Sequence, residues 1–206
     1  MPHQNRVDPF SDLKVHRARG MFTGNRGCLH DDEGRIVRRW KTQAWITCAL
    51  SYKNRKRAVM PPGQYTSLFF MDEATALAAG HRPCAECRRA DYLAYVTAIE
   101  RVRPGVKLGA DDLNRERATE MTPAVERHER ESVDASLLPP GAMVAVGDRA
   151  FLVLEEGLRP WSFAGYGRLE PFPATRATRL TPRLSIDALE GGYRPALHVS
   201  APVSWG

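Results

Sequence analysis

The 206-residue chain has no Gly-rich phosphate loop, no Rossmann fingerprint, no Gly-x-Ser-x-Gly elbow and no His-Glu-x-x-His pair. These absences exclude, in turn, the P-loop, dinucleotide, serine-hydrolase and zincin signatures. No apolar run approaches the ~20 residues of a membrane helix. No internal repeat or low-complexity tract stands out. The N-terminal stretch MPHQNRVDPF is polar and lacks the apolar core of a signal peptide, so a cytosolic chain with reduced thiols is expected. Cysteine is scarce, with only Cys28, Cys48, Cys84 and Cys87. Acidic residues are scarce in one place: none occurs from Gly34 to Met71.

Residues 68–89, LFFMDEATALAAGHRPCAECRR, are the most informative stretch. The strand end Leu68-Phe69-Phe70 leads to an N-cap at Asp72, and an Ala-rich helix follows. Gly80 supplies a left-handed C-cap. His81-Arg82-Pro83 then introduces Cys84-Ala85-Glu86-Cys87, predicted at the first turn of a second helix, where the dipole favours thiolates. Two thiols at this spacing make half of a tetrahedral metal site. Cys28 and Cys48 complete the number that a closed structural zinc site needs. The competing readings are a redox pair, or two buried thiols beside a chance Cys-x-x-Cys. A redox motif belongs after a strand of a βαβ unit, whereas this one follows a helix and Gly80.

The run EATALAAGHRPCAEC resembles the zinc-binding domain at the N-terminus of the bacterial Ada DNA-repair protein. There, too, a short Ala-rich helix, Gly, an aromatic residue and Arg-Pro lead into Cys-x-x-Cys. The resemblance covers about residues 44–89, under a quarter of the chain. Cys48 matches the first of that family's two upstream cysteines. The second falls near Tyr52, so Cys28 is expected to replace it. The family's first cysteine is a zinc ligand and also accepts a methyl group from alkylated DNA phosphate, a role not assigned to Cys48. The resemblance implies a zinc-stabilised hairpin-and-helix domain that contacts the DNA backbone, in a bacterial cytoplasm and at the nucleoid.

Charge points the same way. Residues 1–60 hold 13 Lys/Arg against 5 Asp/Glu, and the remainder 17 against 19. The acid-free span carries Arg35, Arg38, Arg39, Lys41, Lys53, Arg55, Lys56 and Arg57, interleaved with Trp40, Trp45, Tyr52 and Tyr65. Cations neutralise phosphates and aromatic rings stack on bases. These cations, Trp40, Arg82 and Arg88 are the predicted nucleic-acid contacts, with Trp45 assigned to the core. A solvated basic face is the alternative.

The fold expected is α+β: a small zinc-stabilised hairpin/helix domain at 20–103, a polar helical connector at 104–136, and a small β-rich, partly open barrel at 137–206. In the first domain, strands are predicted at 21–30, 35–40, 44–52 and 64–70, with a helix at about 85–102. In the connector, Thr122-Pro123 is read as the start of a second helix. In the last, AMVAV and AFLVL flank the turn Gly147-Asp148, and SIDALEGG forms a short helix.

Function is read as zinc-containing DNA binding in the recognition or repair of damaged or modified DNA. The alternative is an enzyme on DNA, either a glycosylase removing a modified base or a nuclease. His30, Asp31 and Asn25, close in sequence to Cys28 and the basic span, are its candidate catalytic residues. A hydrophilic turn is the competing reading of residues 30–34. A protein-interaction module with a basic face is a third possibility.

Overall fold

A computed structural model describes residues 3–53 and 59–201. In chain order its elements are β1 (Gln4–Val7), β2 (Leu13–Val15), β3 (Phe22–Asn25), β4 (Ile46–Cys48), β5 (Leu68–Phe70), α1 (Glu73–Ala78), β6 (Arg82–Pro83), α2 (Arg89–Val102) and α3 (Ala110–Glu126). There follow β7 (Ser132–Val133), β8 (Met143–Val146), β9 (Arg149–Leu154), β10 (Gly157–Ser162), β11 (Gly165–Tyr166), β12 (Ala177–Arg179) and α4 (Arg183–Glu190). The chain is therefore α+β, with two six-stranded sheets among the described residues.

The first sheet has the order β2-β1-β5-β3-β4-β6. Its strands are shorter than the sequence suggests. The predicted return strand at 35–40 is reduced to a single bridge, His30 to Ile36. The segment between β3 and β4 instead takes its order from backbone bonds into Arg26 and Leu29. Residues 4–15, unread in the sequence, form two strands. β1 runs parallel to β5, with Arg6 opposite Phe69.

α1 forms as its sequence requires. The Asp72 Oδ1 accepts from the Thr75 amide at 2.9 Å, and Gly80 lies beyond the helix at φ 82°. All six α1 residues are buried. α2 begins at Arg89, later than expected, so Cys84 and Cys87 occupy the turn before the helix rather than its first turn. α3 is one helix of 17 residues that passes through Pro123. The missing proline N–H costs a single bond near the helix end, to the carbonyl of Thr119, which is why the expected break at Thr122 does not occur.

The second sheet has the order β11-β10-β9-β8-β12-β7. It is open, which corrects the barrel-like expectation. Its edge strands β11 and β7 are two residues each and do not pair with one another. Closure requires the edges to meet, and here α2 and α4 cover one face instead. Tyr95 and Ile99 of α2, and Ile186 and Leu189 of α4, belong to one apolar cluster with Val144, Phe151 and Val153. Leu77 and Leu113 join the same cluster, so the core runs unbroken across residues 103 and 137. A second cluster joins Met71, Ala74 and Ala78 to Met143, Leu152 and Tyr166. No helix among the described residues is long and apolar enough to cross a membrane.

Candidate metal centre and basic face

Two parallel strands bring the cysteines together. β4 pairs with β6 so that Ile46 faces Arg82 and Thr47 faces Pro83. One residue further on, this register sets Cys48 beside Cys84, and the Cys84 amide donates to the Thr47 carbonyl at 2.9 Å. The turn 84–88 then folds Cys87 back. Its closing bond runs from the Arg88 amide to the Cys84 carbonyl at 3.1 Å. As a result the sulfurs of Cys48, Cys84 and Cys87 all lie within 4.8 Å of one another.

Cys28 does not join them, which corrects the four-cysteine set. Its Sγ faces the carbonyl oxygen of His30 at 3.5 Å, in the loop after β3. Spacing identifies Cys84 and Cys87, the family resemblance matches Cys48, and the β4–β6 pairing brings Cys48 to the other two.

The three thiols share their protons unequally. Hydrogen bonding from Cys48 holds Cys84 down to about 5, helped by the amides of Cys87 and Glu86. The Cys48 thiol is pushed up by that same bond and by burial, and burial also raises Cys87. Soft sulfur donors at this separation suit zinc: Zn–S bonds of about 2.3 Å in a tetrahedron place sulfurs roughly 3.8 Å apart.

The three residues proposed for catalysis are occupied in building the loop. His30 is buried, its Nδ1 2.6 Å from the Thr66 hydroxyl and its Nε2 3.3 Å from the Pro61 carbonyl. Asp31 accepts from the amides of Glu33 and Arg35 and pairs with the Arg35 guanidinium at 2.8 Å. The Asn25 Oδ1 accepts from the Gly27 amide at 3.2 Å. Gly34 closes this turn at φ 78°.

The predicted phosphate contacts divide into two groups. Arg35, Arg38, Arg39, Lys41 and Lys53 are exposed, and Trp40 is half-buried with its ring 6.4 Å from Trp45. Arg55, Lys56 and Arg57 lie outside the described residues. Arg82 and Arg88 are buried, which removes them from a nucleic-acid surface. Arg88 pairs with Glu73 at 2.8 Å, and Glu73 in turn accepts from the Tyr193 hydroxyl at 2.6 Å.

Beneath the basic face lies a layer of cations that the sequence did not disclose. Arg26 is completely buried, and its guanidinium stacks on Trp45 at 4.3 Å, while Arg117 stacks on the same ring at 4.1 Å. The Arg26 Nε donates to the His81 Nε2 at 3.2 Å, which fixes that imidazole as an acceptor there and as a donor to the Ala79 carbonyl. Burial, with Arg117 nearby, brings Arg26 down to about 9. Burial and both arginines hold His81 well below its ordinary value.

Compared with known proteins, the chain matches no family model, no curated protein and no solved structure. The likeness to the Ada zinc domain over residues 44–89 therefore stands on its motif alone.

Proposed function

We propose that this chain is a zinc-containing DNA-binding protein that acts in the recognition or repair of damaged or modified DNA. The observation that carries the reading is the thiol trio Cys48, Cys84 and Cys87. The strand holding Cys48 is flanked in sequence by both basic segments. Arg35, Arg38, Arg39 and Lys41 precede it and Lys53 follows it, all exposed. Bound zinc would fix β4 against the 84–88 turn, and those segments would then be presented to phosphates from a rigid base.

A second reading, an enzyme on DNA, is favoured by the count of three candidate ligands among the described residues. Three protein ligands are the catalytic pattern for zinc, because a fourth position is left for water or substrate. This reading does not rest on His30, Asp31 or Asn25, whose side-chain acceptors or ring nitrogens hydrogen-bond within the loop and its neighbours.

Metal analysis of the purified chain is expected to find one zinc, lost in Cys84→Ser. In duplex binding measured against salt, replacing Arg38 and Lys41 by Gln is expected to make the slope shallower by about 1.8, at ~0.9 per phosphate contact. An unchanged slope would leave these cations as a solvated face. Incubation with plain, alkylated and hypermodified DNA separates the two readings, since abasic sites or nicks select the enzyme.

A further inference from the structure

The buried stripe of α3 contains an arginine. Leu113, Arg117, Met121 and Val125 recur every fourth residue, and all four are buried. Arg117 retains 5% exposure, and Arg82 of β6 retains 6%. Neither forms an ion pair among the described residues, unlike Arg88, Arg103 and Arg179.

Their hydrogen bonding is incomplete as well. The Arg117 Nη2 donates to the Gln43 carbonyl at 2.7 Å, while its Nε and Nη1 are buried without partners. Arg82 donates to the Pro83 carbonyl at 3.1 Å and the Asn114 Oδ1 at 3.0 Å, and its Nε is likewise unpartnered. Leaving a charged donor buried and unmatched is strongly destabilising, as when a buried ion pair loses one member. Here two such groups line one small cavity, together with Tyr95, Leu113, Asn114 and Ser185.

The remaining polar lining also donates. The Asn114 carbonyl oxygen is taken by Arg82, which leaves its amide N–H groups. The Tyr95 hydroxyl and the Ser185 Oγ share one hydrogen bond of 3.0 Å, so one hydroxyl hydrogen stays uncommitted. The cavity measures about 10 Å³, room for one water-sized sphere.

We propose that this cavity is a binding site for a single anion of halide size, held between Arg82 and Arg117 and tying α3 to β6, α2 and α4. Fixed donors, two positive charges and a lining without a carboxylate define the charge of the guest, with Asp111 acting on Arg82 only from outside that lining. The volume defines its size, which excludes a sulfate or a nucleotide phosphate. Burial and the neighbouring Arg82 lower Arg117 to about 9, the response of a guanidinium lacking a counter-charge, and a bound anion would reverse it.

Two measurements on the full chain test this. Crystals grown in sodium bromide are expected to give an anomalous peak within hydrogen-bond reach of both guanidinium groups. Unfolding is then compared in bromide and in gluconate, an anion too large to enter, at matched ionic strength. Once bromide exceeds its dissociation constant, each ten-fold increase should lower the unfolding constant ten-fold. Bromide is not one of the excluded, generally stabilising salts, so a gain in stability marks a specific site. Arg117→Met is expected to abolish the bromide dependence, and its persistence there would overturn the proposal. Absence of the peak from the cavity, or equal unfolding constants in the two salts, would overturn it using wild-type protein alone, whether or not the variant folds.

Discussion

In the sheet of residues 4–83 the strands are two to four residues long, and charged or polar groups such as Arg26, His81, Asp72 and Glu73 lie buried around them. In the second sheet the β8–β9 hairpin buries Met143, Val144, Phe151, Leu152 and Val153 in apolar clusters, with Arg179 of neighbouring β12 and Thr181 as the buried polar groups beside it. Strand number is equal, but the interactions differ. Apolar burial is non-directional and tolerates small shifts, whereas a buried polar network holds only while every partner is in place. The half of the molecule with the thiol trio is therefore the half whose geometry is most tightly conditional.

Metal removal should expose this difference most strongly. Apparent binding free energies of structural zinc run to about 10–16 kcal/mol in zinc-finger peptides. Chelation, or Cys84→Ala, is expected to collapse amide-exchange protection in β4 and β6 while β8 and β9 stay protected. Equal loss in both sheets would erase the distinction.

Next in size is a matched pair of core substitutions followed by urea unfolding. Arg88→Met leaves Glu73 buried without its cation and should cost about 3–5 kcal/mol. Leu152→Ala, in the second sheet, should cost about 2–5 kcal/mol by cavity formation. The sharper contrast lies in rescue. Arg88→Met combined with Glu73→Gln should recover much of the loss, as an apolar or neutral replacement of a buried pair often does. A double variant no better than Arg88→Met would show that Tyr193 and the Ala196 amide demand the carboxylate itself.

The smallest effect depends on pH. His81 is held well below 6.5 by burial and by Arg26 and Arg117, so the unfolded chain takes up a proton there that the folded chain refuses. Stability should fall as pH drops below about 6.5, by up to about 1.4 kcal/mol per unit. Asp8, raised to about 6 by burial, acts in the opposite sense: its proton favours the fold as pH falls from 6 toward 4. Between pH 7.5 and 6 the Cys84 thiol, held down to about 5, adds a slope of the same sign and Asp8 an opposing one, so the His81 share is the part that a His81 variant removes. His81→Gln, which keeps an acceptor for Arg26, should flatten the thermal-unfolding profile in that window, and parallel profiles would sink the assignment.

Local signals in the sequence were dependable where one residue does one job. Asp72 caps α1, Gly80 ends it left-handed, Gly147-Asp148 turns the hairpin, and Trp45 is core. Pairings between distant segments were not legible. The polar stretch QNRV gives no periodic signal, yet Asn5 and Val7 are buried because β5 lies alongside. Count alone groups Cys28 with the other thiols, and the loop path sends it elsewhere. Arg117 lies in the polar run NRERATE of the predicted connector. The available clue was its position four residues after Leu113 and four before Met121, on a face that otherwise reads as apolar.

The pairing of Arg6 with Phe69 also has a meaning in time. A ribosome adding roughly 5–20 residues per second delivers β1 some 3–12 s before the strand it must lie against. Over that interval the opening residues have only the local β2 hairpin to join. β4 waits similarly for Arg82-Pro83 before its thiol gains neighbours. The thiol trio thus cannot be assembled before residue 87 has been made. Stalled chains that stop short of residue 84 would carry Cys28 and Cys48 without the turn that gathers the sulfurs.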